Sequence, residues 1–261
     1  MGTGAITQYV DVAQLVLYLF WIFFAGLVYY LTVESKREGF PLETDRTDGR
    51  IRYDNGIAGM PRQKVYKTAF HGDFLAPHGR DQQELPVQGK SFDGLPYLPL
   101  EPTGDPMTSG IGPGAFTQRS TKPDMTAEGH VRIVPLREAP GFSLAEQDLD
   151  PRGLPVLGAD GQQGGTVTDV WVDRSEHLIR YLELQTSGGR QVLVPMNFAR
   201  IHRDRIKGNR VTVQAVLAGQ FEGVPGLSQP GQISRLEEEK VMGYFGAGTL
   251  FATPDRREPL I

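Results

Sequence analysis

Residues 169–184, DVWVDRSEHLIRYLEL, have the pattern of two short β-strands joined by a turn. Apolar and polar residues alternate on both sides of a polar centre, as they do in strands with one covered face. The stretch is rich in ionisable groups, which are Asp169, Asp173, Glu176, His177, Arg180 and Glu183. Because Asp and Glu are common in solvated turns, the residues alone leave two readings open, a solvated hairpin and a site that handles protons.

The parity of the first strand separates its apolar residues from its acids. Val170 and Val172 share one face, whereas Asp169, Trp171 and Asp173 share the other. If the valines face the core, Trp171 points outward, and a large exposed aromatic indicates an interface covered by another protein. Partial burial raises the pKa of a carboxyl group and a nearby arginine lowers it, so we expect opposed pKa shifts in this stretch.

The flanking sequence predicts a small antiparallel barrel or sandwich. Glycine-rich turns separate five predicted strands, at 154–157, 166–173, 179–185, 191–195 and 210–216. A shorter run at 131–136 is a further strand candidate. Near the C-terminus, Ser234 and Glu237 have the spacing of a capping box, which predicts that a helix begins there.

A long apolar stretch lies near the N-terminus. Residues 12–31, VAQLVLYLFWIFFAGLVYYL, contain no charged side chain. At about 1.5 Å per residue, a helix over this range covers roughly 30 Å, the thickness of the hydrocarbon core of a bilayer. No Lys or Arg precedes it, whereas five follow within about 20 residues, which argues against a signal peptide and sets the orientation. We predict a transmembrane helix at 12–31, with residues 1–11 in the periplasm and the remainder in the cytoplasm.

The composition excludes several classes of function. The formal net charge of −4 gives no general basicity for binding nucleic acid. The chain has no cysteine, which excludes disulfides, thiolate metal sites and a cysteine nucleophile. All five histidines lie outside residues 12–31, so the predicted membrane helix lacks the usual axial ligand for haem or chlorophyll. The motifs of P-loop proteins, serine hydrolases and zinc proteases are absent from the sequence, so a hydrolase or metalloenzyme is disfavoured.

The middle of the chain, residues 32–150, has no lasting helical or strand period, and turn signals recur through it. A loop-rich segment of this length is unusual in an isolated domain. We therefore expect it to lie on partner subunits and to gain its order from them. A flexible linker is the alternative, although aromatic side chains are scattered through the segment. The regular β pattern follows, in residues 151–261.

Several short motifs occur in a fixed order along nearly the whole chain. They are FWIFFAGLVYYL (20–31), KREGFPLE (36–43), PHGR (77–80), PTGDPM (102–107), GIGP (110–113), DVWVDRSE (169–176), LVPM (193–196) and LEEEKVMGYFGAG (236–248). Each motif alone is weakly specific, but their order, with one N-terminal span, is very specific. Together they resemble the H subunit of the photosynthetic reaction centre of purple bacteria. The β portion is also similar to the PRC-barrel module.

The resemblance implies one transmembrane helix and a mainly β cytoplasmic domain, with a small antiparallel PRC-type barrel, a loop-rich connection and a short C-terminal helix. It implies a subunit that is not an enzyme and binds no pigment itself. This subunit caps and stabilises the L and M subunits at the cytoplasmic face of the bacterial inner (intracytoplasmic) membrane. It also conducts protons from the cytoplasm to the secondary quinone.

The resemblance also implies what surrounds the chain. The L and M subunits are expected to hold bacteriochlorophyll, bacteriopheophytin, quinones and non-haem iron. Membrane lipids are expected partners and nucleic acid is not. Whether a cytochrome subunit or a light-harvesting ring accompanies the complex is left open. The alternative function is a membrane-anchored PRC-barrel adaptor or assembly protein without photosynthetic partners.

Matched residue by residue, the resemblance implies a proton-transfer role for Asp173 and Glu176, with Arg180 as the associated arginine. Asp169 is a further acidic position on the same strand. Glu238 matches an acid in the C-terminal helix that tunes the electrostatic potential near the quinone. These positions all lie in motifs that carry the resemblance or directly beside them.

The family's surface site for proton uptake has two histidines and an aspartate. This chain has Glu128 and His130 at the histidine positions and Thr126 at the aspartate position. We expect Glu128 and His130 to take up protons. At most a weak surface metal site is expected at these two residues. A solvated loop histidine is the alternative for His130.

Contacts with lipid or with partner subunits are expected at five residues, Trp21, Lys36, Arg37, Phe40 and Trp171. Lys36 and Arg37 fit anionic lipid headgroups and a simple topology signal equally well. His78, in PHGR, is expected to hydrogen-bond within its own turn.

Overall fold

A computed structural model of the chain describes residues 4, 6, 11–40, 42–44, 52–77, 88–91 and 99–256. Most of the predicted N-terminal segment 1–11 lies outside these residues, and so does His78. The chain divides into two compact units. One comprises Met1–Glu84 with Leu95–Tyr97, and the other comprises Leu85–Gly94 with Leu98–Ile261.

The N-terminal helix, α1, runs from Val12 to Glu34. Its N-cap is Asp11, whose carboxylate accepts a hydrogen bond from the Gln14 backbone N–H at 2.7 Å, satisfying one of the free donors at the helix start. None of its residues is buried within the chain, and by length and composition the stretch Val12–Arg37 can cross a membrane. The helix continues about one turn beyond the predicted range 12–31 and leads into a 3₁₀ turn at Ser35–Arg37.

Short hairpins interrupt the segment that follows. Strand β1 (Leu42–Thr44) pairs with β2 (Arg52–Asp54), and β3 (Lys64–Thr68) pairs with β4 (Gly72–Ala76) in the first unit. In the second unit β5 (Gly89–Ser91) pairs with β6 (Leu100–Pro102). Each hairpin is too short to impose a period on the sequence, which explains why none was predicted.

The second unit contains a seven-stranded sheet. Its strands are β7 (Ile133–Pro135), β8 (Pro155–Leu157), β9 (Gln163–Asp173), β10 (Leu178–Thr186), β11 (Gln191–Pro195), β12 (Ala199–His202) and β13 (Arg210–Val213). The order is β11-β10-β9-β8-β13-β12, and β7 also pairs with β9. All pairs are antiparallel except β8 with β13, which is parallel. The predicted strands are all present within three residues at each end, and β12 was missed.

The second helix, α2, runs from Arg235 to Phe251 and begins at the predicted capping box. The Glu237 backbone N–H donates to Ser234 Oγ at 3.3 Å, and the Ser234 N–H donates to the Glu237 carboxylate at 2.8 Å. Gly248 lets the helix approach the sheet, since a Cβ there would lie 2.4 Å from the Ala215 carbonyl oxygen. The helix buries Val241 and Phe245 in the main core. An apolar N-terminal helix, a mainly β domain and a C-terminal helix together confirm the predicted fold class.

Strand β9 is covered on both faces, which corrects the predicted orientation of Trp171. Val170, Trp171 and Val172 are only 0%, 1% and 5% exposed. Trp171 belongs to the main hydrophobic core, whereas Val172 packs in a smaller cluster with Val134 and Ala139. The prediction that Trp171 points outward to an interface is therefore wrong. The prediction assumed one covered face, whereas the main core packs against Trp171 and the smaller cluster packs against Val172, so both faces are covered.

Candidate functional site

Asp173 lies at the end of β9, and its side chain is fully buried. Its backbone pairs with Ile133 of β7 on one side and with Leu178 of β10 on the other. The tight turn that follows folds back on the carboxylate, so the backbone N–H groups of Ser175 and Glu176 donate to Asp173 Oδ1 at 2.9 and 3.0 Å. The local sequence therefore builds half of the carboxylate's surroundings.

Two guanidinium groups complete the surroundings of Asp173. Arg132 Nε lies 3.0 and 2.9 Å from the two Asp173 oxygens, and Arg132 also bonds the Glu176 carboxylate. Arg180 Nε lies 3.3 Å from Asp173 Oδ2, and Arg180 Nη2 lies 3.6 Å from Glu176 Oε2. Burial raises the pKa of Asp173, but the hydrogen bonds from Arg132 and from the two N–H groups outweigh it, and the net pKa is lowered. Asp173 is thus held ionised.

A third carboxylate and a third guanidinium extend this group. Asp124 Oδ2 lies 3.3 Å from Arg132 Nη1, and Asp124 Oδ1 accepts from Arg235 at the start of α2. Burial raises the pKa of Asp124, but Arg235 in particular outweighs it, and the net pKa is lowered. We call Asp124, Arg132, Asp173, Glu176, Arg180 and Arg235 the Asp173 cluster. It places three carboxylates against three guanidinium groups.

Glu238 lies beside this cluster on the first turn of α2 and shows the opposite shift. Burial raises its pKa, and the hydrogen bond from Tyr181 and the charge of Arg180 only partly offset that effect. The Tyr181 hydroxyl donates to Glu238 Oε2 at 3.2 Å. The two opposed effects expected in residues 169–184 both act on Asp173, where the hydrogen bonds outweigh burial, whereas burial outweighs them at Glu238, which lies outside that stretch.

Glu128 and His130 occupy an exposed turn that leads into the cluster. The Thr126 N–H donates to the His130 carbonyl oxygen at 2.8 Å, and the Arg132 N–H donates to the Asp124 carbonyl oxygen at 2.8 Å. Glu128 and His130 thus lie on the loop whose base holds Asp124 and Arg132. The pKa of Glu128 is lowered, first by the Thr126 hydroxyl and more weakly by His130. Among the described residues no group of three or more metal-ligating side chains comes together, and this turn supplies only two.

Asp169 does not join the Asp173 cluster. Its Oδ2 lies 3.0 Å from Arg137 Nη1, and the same nitrogen lies 3.0 Å from Glu183 Oε2. Trp171 Nε1 also donates to Glu183 Oε2, at 2.8 Å. We call the two facing carboxylates, Asp169 and Glu183, the Asp169 pair. Arg137 is the cation that they share. The register that sets Asp169 opposite Glu183 explains this separation from Asp173.

Lys36 and Arg37 are used inside the first unit. Lys36 is 3% exposed, and its ammonium donates to the carbonyl oxygens of Ile57 and of Gly59, the latter at 3.0 Å. Arg37 binds Glu34 and the Ala76 carbonyl oxygen at 2.8 and 3.0 Å. The prediction that these two cations reach lipid headgroups is therefore wrong, because the 3₁₀ turn directs both back to the chain.

Phe40 and Trp21, which were also predicted to contact lipid or partner subunits, differ in their surroundings. Phe40 lies under the Lys36 ammonium, 5.7 Å from Nζ to the ring centroid, and is partly exposed. Trp21 is more than half exposed on α1 and contacts Phe20 and Phe24 edge-on. Their contacts with lipid or partner subunits stay a prediction.

Six participants were missed from the sequence: Asp124, Arg132, Arg137, Tyr181, Glu183 and Arg235. Tyr181 and Glu183 could have been found, because they lie on the quoted stretch at positions that β9 pairing brings across from Trp171 and Asp169. Arg132 reaches Asp173 only because β7 pairs with β9, and nothing in one sequence signals that pairing.

Two family models match the chain. One describes the photosynthetic reaction centre H-chain N-terminal region and matches residues 4–138, more than half of the chain. The chain belongs to the reaction centre H-chain family. The other model, the PRC-barrel domain, matches residues 146–217. This H chain is accordingly an accessory subunit that associates with the core subunits of a photosynthetic reaction centre, and its apolar N-terminal helix suggests a membrane anchor.

The Asp173 cluster of this H chain combines side chains from both matched regions. Asp124 and Arg132 come from the H-chain region, whereas Asp173, Glu176 and Arg180 come from the PRC barrel. Arg235 and Glu238 are supplied by α2, which follows both. The H-chain region thus adds charges that a PRC barrel alone would lack at this position.

Proposed function

We propose that this H chain caps the L and M subunits at the cytoplasmic face and conducts protons from the cytoplasm towards the secondary quinone. The N-terminus is placed in the periplasm, in line with the lysines and arginines that follow α1. Pigments, quinones and non-haem iron belong to L and M, in keeping with the absence of histidine from α1. The PRC-barrel adaptor draws on the barrel alone and does not account for the H-chain region.

The observation that carries the proton-transfer proposal is the gradient of exposure in the Asp173 cluster. The Glu176 side chain is 48% exposed and can exchange protons with water, whereas the Asp173 side chain it adjoins is 0% exposed. Arg132 and Arg180 contact both carboxylates, so a charge change on one is felt by the other. Such a pair connects an aqueous surface to a dry interior, which proton delivery to a buried site requires.

The charge balance of the cluster favours passing a proton onward. Its three carboxylates and three guanidinium groups sum to zero when all are ionised. A proton that enters through Glu128, His130 or Glu176 leaves the cluster net positive, and at a low effective dielectric constant that state is unfavourable. Glu238, whose pKa is raised by burial, is the neighbouring carboxyl that holds a proton more readily than Asp173 or Asp124, whose pKa values are lowered.

The proposal is tested with Asp173→Asn combined with Glu176→Gln in the purified reaction centre. We expect the proton-coupled second electron transfer to the secondary quinone, followed by flash-induced absorbance, to slow by about a hundredfold, the lower end of what a positioned proton-transfer group contributes. The matched control is Asp150→Asn, since Asp150 is another carboxylate paired with an arginine, Arg152, at 2.7 Å. An unchanged rate and pH dependence in the double variant would contradict the proton-transfer role.

A further inference from the structure

The hairpin formed by β3 and β4 leaves apolar side chains on both of its faces uncovered. Tyr66 pairs with Phe74 on one face, and Val65 pairs with Leu75 on the other. Val65 is 57% exposed and Leu75 is 43% exposed, and Tyr66, Phe74 and Phe70 at the turn are exposed to a similar degree. A two-stranded hairpin is marginally stable by itself in water, so this one requires a surface to lie on.

The hairpin is fastened to the end of α1 by polar contacts at its open end. Glu34, the last residue of α1, binds Lys64 Nζ at 2.6 Å and Arg37 Nε at 2.8 Å. Arg37 Nη1 then donates to the carbonyl oxygens of Arg62 and Ala76, at 2.7 and 3.0 Å. Lys64 and Ala76 are the paired residues that open the hairpin. The position of the hairpin along the membrane normal is therefore set by the end of α1.

The length of α1 places that end in the headgroup region. If residues 12–31 fill the hydrocarbon core, Glu34, which binds Lys64 of the hairpin, lies about 4.5 Å beyond it at about 1.5 Å per residue. Headgroups extend roughly 5–7 Å past the hydrocarbon on each side of a bilayer. The hairpin begins at this depth, where aromatic side chains are favoured because one part of the ring is apolar and another is wet.

The charges near the hairpin favour an anionic surface. Residues 62–76 contain a single acid, Asp73, and three cations, Arg62, Lys64 and Lys67. Lys64 is held by Glu34, whereas Arg62 and Lys67 are exposed and form no ion pair within the described part of the chain. Lysine and arginine near a membrane surface are attracted by anionic lipids, by about 1 kcal/mol each.

We propose that the β3–β4 hairpin is a second membrane contact, which lies in the headgroup layer of an anionic phospholipid bilayer and inserts its apolar side chains at the acyl boundary. This contact rests on the proposed membrane-spanning role of α1, and for residues 64–76 it replaces the expectation that the segment 32–150 lies on partner subunits. It takes the place of the lipid contact expected at Lys36 and Arg37, because Lys36 binds the carbonyl oxygens of Ile57 and Gly59 and Arg37 holds the open end of the hairpin.

The absence of cysteine from the chain allows a direct test by spin labelling. Single variants Val65→Cys and Leu75→Cys are labelled in the full-length chain, in nanodiscs of phosphatidylcholine with and without phosphatidylglycerol. Accessibility to oxygen and to a water-soluble nickel complex reports depth. Ile22→Cys on α1 and Ile206→Cys, at a position 95% exposed in the second unit, give the hydrocarbon and water references.

We expect the oxygen-to-nickel ratio at residues 65 and 75 to lie between the two references, severalfold above Ile206→Cys. It should increase with phosphatidylglycerol, and Lys67→Gln should weaken that increase. Labels as accessible to nickel as Ile206→Cys would overturn the proposal, because the hairpin would then lie in water. Labels shielded from both reagents in the purified reaction centre would also overturn it, since another subunit would then cover the hairpin.

This outcome is separable from that of the proposed function. Co-purification of the chain with the core subunits tests the proposed function. The depth of the labels in nanodiscs is measured whether or not the core subunits are present.

Discussion

Strand β9 carries two buried carboxylates that differ in almost every contact. Asp173, at the end of the strand, has two guanidinium groups and two backbone N–H donors, and it adjoins the half-exposed Glu176. Asp169, nearer the middle, faces Glu183 across the sheet, and the two carboxylates share one cation, Arg137. The Asp173 cluster is balanced in charge and includes the half-exposed carboxylate of Glu176, whereas the Asp169 pair has two acids to one cation and both of its carboxylates are buried.

The difference separates a site suited to proton exchange from one suited to fixing structure. In the Asp173 cluster several cations contact each acid, so one acid can gain or lose a proton while the others stay compensated. In the Asp169 pair each carboxylate depends on the same guanidinium, and Trp171 and Thr168 orient Glu183 with hydrogen bonds of 2.8 and 3.0 Å. A fixed geometry of this kind joins residue 137 to the sheet and includes no exposed carboxylate comparable to Glu176.

The largest expected effect is on stability, from Arg137→Met. Without the shared cation, two buried carboxylates face each other, which should lower the free energy of unfolding of the barrel by about 3 kcal/mol near pH 8. Denaturant unfolding followed by Trp171 fluorescence measures this, in a Trp21→Phe background that leaves Trp171 as the single tryptophan.

Arg137→Lys is the matched control, since it keeps a positive charge near both acids while losing the forked geometry. It should recover most of the lost stability. If Arg137→Met and the parent unfold at the same denaturant concentration near pH 8, the Asp169 pair does not depend on its cation, and the contrast with Asp173 fails.

Arg132→Met should have a smaller effect, about 2 kcal/mol, because Arg180 and two N–H groups remain on Asp173. The pKa of Asp173 is lowered in the folded chain, so its contribution to stability is present above the usual aspartate pKa and is lost as the pH falls through the lowered value. Removal of Arg132 raises that pKa, so acid unfolding should begin at a higher pH in the variant. Stability measured against pH by the same fluorescence checks the shift, and a loss that equals that of Arg137→Met would remove the distinction between the two sites.

The local parts of this picture could be predicted from the sequence, and the non-local parts could not. The turn from Asp173 to Leu178 holds Asp173, Glu176 and Arg180 close together, so their association follows from the hairpin itself. Arg132 and Asp124 reach the same carboxylate through β7, a strand of three residues whose partner no local pattern identifies. The orientation of Trp171 was wrong for the same reason, because the alternation of residues along a strand does not say that segments from elsewhere in the chain cover both faces.

The smallest expected effect is from Glu238→Gln, and its sign is opposite. The pKa of Glu238 is raised in the folded chain, mainly by burial, so ionisation of this group costs stability as the pH rises through that pKa. Glutamine is neutral at every pH and can still accept the hydrogen bond from Tyr181. The variant should therefore be more stable than the parent by about 0.5 kcal/mol near pH 8 and equal to it in acid. Glu239→Gln, next along α2 and paired with Arg119 at 3.3 Å, is the control that should show no such gain. A variant at Glu238 that loses stability near pH 8 would mean that this carboxylate is held ionised like Asp173, and the Asp173 cluster would then have no neighbouring carboxyl suited to hold a proton.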